Sequence, residues 1–278
     1  MNIRKISFGK IAVYIFLILL ALTCVFPFAM MMINATRSGS EIISGFSIIP
    51  GSSTADNWQT VSENLDIFKG MGNSLLIALV NTLLTAYFSA LTAYGLAYYQ
   101  FKGNKLLFTV ILVLMMVPSQ LSIIGFYDLV NKMHLVDTYI PLIVPAIASP
   151  GTVFFLRQYI LSVLPKAILE APRIDGAKEL RIFHQIVLPI MAPGIATVSI
   201  GVFVGSWNSY LVPLIILNTP EKFTLPVMIG SLNSVKDIIT NMGATYLAIA
   251  ISIIPIIIVF CICSKYIIGG VAAGSVKE

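Results

Sequence analysis

Residues 170–190 read EAPRIDGAKELRIFHQIVLPI, and the chain changes character within them. Glu170, Arg173, Asp175, Lys178, Glu179 and Arg181 crowd around Gly176, and then no Asp, Glu, Lys or Arg occurs from Ile182 to Pro220. A charge at mid-bilayer costs at least about 2.5 kcal/mol, so a charged knot followed by a long uncharged run reads as a surface loop leading into a membrane-crossing helix.

The rest of the chain fits that reading. Of its 278 residues 58% are hydrophobic and 10% charged, with a mean hydropathy of +0.93, against roughly 25% charged residues in ordinary soluble domains. Uncharged runs cover 11–38 apart from Arg37, then 70–101, 106–127, 138–156, 182–220 and 238–264. Each holds the roughly 20 residues a spanning helix needs. The expectation is an all-α integral membrane domain with six transmembrane helices near 11–33, 73–98, 106–127, 138–157, 189–217 and 242–265, and a cytoplasmic loop at 165–188.

The first run follows Arg4, Lys5 and Lys10, but its apolar core is too long for a secretory h-region and no small-x-small cleavage site follows, so it reads as a span. With a cytoplasmic N-terminus and six spans, the inner segments carry twelve Lys and Arg and the outer loops five. The positive-inside rule therefore puts both termini in the cytoplasm. The fifth run is nearly twice a bilayer's worth and reads equally as one broken span or as a hairpin turning at 205–209. A seven-span chain leaves the charge count unchanged.

Scattered bases argue against nucleic acid as the partner of a net charge of +5, because no basic patch forms. Cys24, Cys261 and Cys263 lie inside apolar runs, where a thiol behaves as a small hydrophobe. No GxxxxGK[ST] occurs, so the chain lacks a nucleotide-binding loop. His134 and His184 have no nucleophile or metal set near them in sequence.

The loop itself has readable helix signals. Pro165 precedes KAILEAPRI, then Asp175-Gly176, then AKELRIFHQIV. Glycine takes positive φ at little cost and suits a helix stop, which predicts two short helices joined at Gly176. Ile168, Leu169 and Ile174 form an apolar knob ringed by Lys166, Glu170, Arg173 and Asp175, a pattern suited to a groove in another protein. In the second helix Leu180, Phe183 and Val187 share a face, which predicts an amphipathic surface helix. Composition by itself favours a plain solvated loop obeying the positive-inside bias.

Resemblance shifts that balance. Glu170-Ala171-x-x-x-Asp175-Gly176-Ala177, followed by Phe183, Ile186, Leu188-Pro189 and Pro193, resembles the EAA loop of ABC importer permeases. Phe154-Phe155-Leu156-Arg157-Gln158, Val117-Pro118-Ser119-Gln120, Trp207-Asn208-Ser209-Tyr210 and the tail from Gly269 to Lys277 are similar to the carbohydrate branch, the maltose-type second permease. Pro172 departs from the alanine usual in that family and is expected to shorten or bend the helix.

The resemblance implies a type I ABC importer transmembrane domain with a cytoplasmic coupling helix, multi-pass in the bacterial inner membrane. Ile168, Leu169, Glu170, Ala171, Arg173, Ile174, Asp175 and Gly176 would contact the ATPase, with Ile168, Leu169 and Ile174 filling its groove. It implies no cofactor on this chain, with ATP and Mg held by the partner. The implied partners are a second permease in a heterodimer, two ATP-binding subunits and an extracytoplasmic solute-binding protein.

Ser206, Trp207, Asn208, Ser209 and Tyr210 place polar and aromatic groups at membrane depth, where they face protein or a water-filled cavity. They are candidates for the translocation path. The alternative is helix packing through Ser, Asn and the Gly201-x-x-x-Gly205 pair. Ion-coupled secondary transport is the rival function, disfavoured because no ionisable group lies well inside any run.

Overall fold

Lipid offers no hydrogen bonds, so a crossing backbone must satisfy its own, and every regular element among the described residues is helical. The computed structural model describes residues 8–232 and 241–275; Arg4, Lys5, Lys236 and Lys277, counted above, lie outside them. The helices begin with α1 (Phe8–Asn34), α2 (Gly39–Ser44), α3 (Thr54–Asn64) and α4 (Ile67–Tyr98). There follow α5 (Asn104–Met115), α6 (Ile123–Lys132), α7 (Ile140–Ile143), α8 (Pro150–Val163) and α9 (Ala167–Ile174). The chain continues through α10 (Glu179–Ile182), α11 (Leu188–Trp207), α12 (Leu211–Ile216), α13 (Leu225–Leu232) and α14 (Met242–Ser275). Five segments are long and apolar enough to cross a bilayer, and a sixth if α5 and α6 form one bent passage.

Two compact units divide the chain, Met1–Ile67 with Met228–Ile254 and Phe68–Val227 with Pro255–Glu278. In the first unit α1 exposes apolar side chains on every face, Phe16 and Leu22 among them, as a helix bathed in lipid does. Beyond it the chain folds into a polar knot. Ser38 and Glu41 form a reciprocal capping box at the start of α2. Arg37, read from sequence as an outer-loop charge, is buried and donates to Glu41 O at 2.5 Å and Gly45 O at 3.3 Å. The Asn57 amide donates to Ala35 O and Arg37 O at 2.9 and 3.0 Å. Gly243 closes on this knot: a Cβ there would lie 2.2 Å from Arg37 O and 2.6 Å from Asn57 Oδ1.

In the second unit α4, α8, α9 and the rod that ends in α11 build one cluster, and α6 and α12 build another. One gathers Tyr94, Leu156, Ile160, Leu169, Phe183, Val187 and Met191; the other gathers Val130, Ile216 and Leu217. At Gly194 α11 meets Tyr159 of α8 so closely that a Cβ would lie 2.6 Å from the ring. Gly201 and Gly205 have nothing within 4 Å of a built Cβ, so among the described residues α11 packs closely at Gly194, and the alternative of a GxxxG contact is not made there.

Three expected segments differ in form. The run 106–127 is not one helix: α5 stops at Met115 and the chain bends by 89° before α6. Pro118 is the cause, because proline pushes the residue before it out of the α region and lacks the donor that would continue the helix. Twelve residues of α5 span only about 18 Å at 1.5 Å per residue. In the fourth run Pro141, Pro145 and Pro150 divide the helix into α7, a 3₁₀ turn at Val144–Ile147 and α8, and α8 continues to Val163, past the expected 157.

The fifth run forms one rod from Glu179 to Trp207, made of α10, a π turn at Phe183–Val187 and α11. It starts before the expected 189 and stops before the expected 217. The six residues of α12 reach about 9 Å, far short of a roughly 30 Å hydrocarbon core. The 205–209 segment therefore does not turn the chain into a second crossing.

Candidate coupling loop and solute cavity

Pro165 ends the extended link from α8, and a turn closes with Ile168 N donating to Pro165 O and Leu169 N to Lys166 O. Helix α9 follows for eight residues. Pro172 sits inside it and removes the donor that Ile168 O would otherwise receive, and the helix ends two residues later, in line with the shortening expected. Gly176 has φ +76°. Ala177 N donates to Pro172 O at 2.9 Å and Gly176 N to Arg173 O at 3.1 Å, the paired bonds of a Schellman stop, which needs a left-handed residue in that position.

The side chains divide into two sets. Ile168, Glu170, Ala171, Ile174, Asp175 and Gly176 are exposed, with Ile174 at 86%. Leu169 is 1% exposed and packs into the core cluster with Leu156, Phe183 and Val187. It cannot fill a partner's groove, which corrects the sequence reading, since a helix this short must spend one apolar residue on docking to its own chain.

Arg173 also turns inward. Its Nε donates to Glu179 Oε1 at 2.8 Å, and the guanidinium lies 5.4 Å from the centre of the Tyr99 ring. Tyr94 OH donates to Glu179 Oε2 at 3.0 Å. Glu179 beside the guanidinium holds the Arg173 proton more firmly than usual. Tyr98 OH donates to Ile160 O at 3.2 Å and to Leu164 O. The Tyr94, Tyr98, Tyr99 cluster ending α4 is what sequence reading missed, although three tyrosines in six residues after an apolar run are a visible signal.

AKELRIFHQIV is not a separate surface helix; it is the first part of the long rod. Leu180 is 62% exposed, while Ile182, Phe183 and Val187 are buried. The π turn shifts the register that an ideal 3.6-residue period assumes. His184 Nδ1 faces Leu180 O at 2.7 Å, and a carbonyl only accepts, so Nδ1 carries hydrogen and Nε2 accepts from Tyr87 OH at 3.1 Å.

At the far end of α11 a cavity of about 290 Å³ is lined by Ser74, Asn81, Phe126, Ser206, Ser209 and Thr224, among others. Asn81 Nδ2 donates to Ser206 Oγ at 2.8 Å, and Ser74 Oγ accepts from Leu225 N at 2.8 Å. Asn81 Oδ1 and Thr224 Oγ1 are shielded from solvent and make no hydrogen bond among the described residues. Two residues of the cavity lining thus each carry a buried polar atom that no described residue satisfies, a feature that calls for an explanation in a native structure.

Of the expected path residues, Ser206 and Ser209 line this cavity. Trp207 does not: it is 1% exposed and stacks on Phe203 at 6.0 Å. Asn208 and Tyr210 are exposed and are not among the lining residues. Ser206 and Trp207 are neighbours on α11 and point about 100° apart, so they cannot both face the cavity. Asn81 and Thr224 were missed, though Asn81 stands in the middle of an apolar run and the reasoning applied to Ser206 identifies it too.

Beside the cavity Asp137, at φ +61°, closes a clasp. Its Oδ1 accepts from Asn218 N and Thr219 N at 2.9 and 3.0 Å. Its Oδ2 accepts from Thr219 Oγ1 at 2.5 Å and from Lys222 Nζ at 2.7 Å. The Lys222 ammonium, then Thr219, holds this carboxyl well below the usual carboxylate range.

Residues 83–271 match the family described as "Binding-protein-dependent transport system inner membrane component". The chain is similar to the arabinooligosaccharides transport system permease protein AraQ of Bacillus subtilis, 36% identical over 277 residues and 98% of each chain. It is also similar to the lactose transport system permease protein LacG of Rhizobium radiobacter, 33% identical over 264 residues and 95% of each chain. A crystal structure of a bacterial ABC transporter involved in the import of the acidic polysaccharide alginate contains a chain that superposes with a TM-score of 0.78 at 20% identity, covering 96% of this chain and 99% of that one.

Proposed function

Because the chain belongs to the family of binding-protein-dependent transport system inner membrane components, we propose that it forms half of the path by which a sugar or oligosaccharide enters a bacterial cell. It is a permease subunit of an ABC importer and carries the type I transmembrane fold. Two of the relatives are named for arabinooligosaccharides and lactose, and the amide and hydroxyl groups of the cavity are of the kind that bond sugar hydroxyls. These features support carbohydrate as the cargo.

The observation that carries the mechanism is the exposed end of α9. Ile168, Glu170, Ile174 and Asp175 stand outward on a helix whose other side is locked into the core by Leu169. In this reading two ATP-binding subunits hold ATP and Mg, this chain binds neither, and α9 sits in a cleft of one of them. When the ATPases close, α9 is displaced, and the rod beginning at Glu179 carries that displacement to Ser206 at the cavity. A second, non-identical permease supplies the other half of the path, and an extracytoplasmic binding protein delivers the solute. The loop and both termini face the cytoplasm.

The test is ATP-driven uptake of labelled lactose or arabinooligosaccharide by the assembled transporter in proteoliposomes. Glu170→Ala with Ile174→Arg is expected to lower uptake at least about tenfold with the amount of inserted protein unchanged, the size of loss that removal of a buried interface anchor produces. Normal uptake by that variant would exclude the coupling assignment. Accumulation by this chain alone under only an ion gradient would favour a secondary carrier.

A further inference from the structure

The α4–α5 connection builds a second cavity, of about 920 Å³, lined by Leu96, Tyr99, Phe101, Lys102, Lys105 and Arg157 among others. We propose that it binds the phosphate headgroup of an anionic phospholipid. Three cations line it, and among the described residues no carboxylate does. Lys102 and Lys105 are exposed. Arg157 lays its guanidinium over the Phe108 ring at 4.0 Å, and its Nε is shielded from solvent without a hydrogen-bond partner. A buried unused donor on a cation is costly unless an acceptor visits. Glu179, the carboxylate in the adjoining network, is already held by Arg173 and Tyr94.

The backbone favours the same guest. Gly103, at φ +96°, is the N-cap of α5, so the positive end of that helix's dipole lies at the connection. Asn104 Nδ2 donates to Leu96 O and Tyr99 O at 3.2 and 2.9 Å, which holds the connection in place. A free phosphate would be attracted by the same charges, but the cavity's position argues for lipid. Lys105 is the last charge before an apolar helix whose Leu107, Val110 and Leu114 are exposed, so a headgroup over the lysines can run its acyl chains along α5. Basic pockets of this kind between transmembrane helices hold anionic headgroups.

The full-length chain, purified in mild detergent, is titrated with phosphatidylglycerol, phosphatidylcholine and glycerol phosphate, and bound molecules are read by native mass spectrometry. Phosphatidylglycerol is expected to stay bound where phosphatidylcholine does not. K102Q with K105Q should weaken it about tenfold or more, K102R with K105R should restore it, and K10Q with K132Q, which removes equal charge elsewhere, should leave it. Both lysines are exposed, so the substitutions leave the packed core intact. Equal binding of the two lipids, equal loss in the K10Q/K132Q control, unchanged binding after K102Q/K105Q, or glycerol phosphate binding as well as the lipid would each overturn the proposal.

Discussion

Arg173 and Glu179 meet at 2.8 Å across the turn that Gly176 makes, so a charge pair bridges the base of α9. Tyr94 donates to the same carboxylate, which ties the turn to α4 as well as to the rod that begins at Glu179. A displacement of α9 thus reaches one helix through the chain and another through a side chain.

Removing that second connection should uncouple the transporter without unfolding it. Tyr94→Phe is expected to lower solute moved per ATP hydrolysed, while thermal stability falls by only about 0.5–1.5 kcal/mol, the usual worth of one hydrogen bond. Parallel assays of uptake and phosphate release check this. An unchanged ratio would remove Tyr94 from the pathway.

Gly176 makes a backbone prediction. Nothing lies within 4 Å of a Cβ built there, so the cost of a side chain is conformational only, about 1–2 kcal/mol for the left-handed geometry. Gly176→Val should lose uptake strongly and Gly176→Asn much less, because asparagine tolerates positive φ. Equal losses from the two would argue for steric contact with a partner.

Gly194 makes the opposite case, since the obstacle is the Tyr159 ring at 2.6 Å. Gly194→Ala should destabilise the detergent-solubilised chain by about 1–3 kcal/mol, as overpacking does, and Gly201→Ala should be near neutral. Adding Tyr159→Leu to Gly194→Ala should recover part of the loss in a thermal-denaturation assay.

The Asp137 clasp sets a pH dependence. Lys222 holds this carboxyl below its unfolded value, so its stabilisation is complete above about pH 4, the unfolded carboxylate range, and fades as pH falls toward the lower folded value. Asp137→Asn keeps a residue that tolerates φ +61° and removes only the charge. Its melting temperature should lie below that of the native chain at pH 7, with a gap that narrows on acidification. A gap that widened instead would contradict the sign.

In the cavity at the end of α11, Asn81→Leu with Ser206→Ala removes a hydrogen-bonded pair together with an unused acceptor. Stability should change little, because both partners leave at once, while the apparent KM for solute should rise. An unchanged KM would move the path elsewhere.

Much of this was legible beforehand because membrane insertion penalises charge so heavily. The uncharged runs located the rods at Phe8–Asn34, Ile67–Tyr98 and Met242–Ser275, and Gly176 marked the turn. Hydropathy was blind to Pro118, whose residues are apolar on both sides of an 89° bend. It was equally blind to which apolar residue of a short amphipathic helix turns inward, so Leu169 and Ile174 looked alike in sequence and lie on opposite sides of a surface. The pairing of Arg173 with Glu179 escaped notice because they are six residues apart across a turn, a spacing with no helical register.

The π turn at Phe183–Val187 fixes the phase of everything beyond it. A π turn holds one residue more than an α turn, so winding these five residues as plain α at the same length would rotate each later side chain by about 100°, aiming Ser206 away from Asn81 although not one cavity residue had been altered. The alignment of the rod's two ends is therefore an angular setting, held by the one extra residue of that turn.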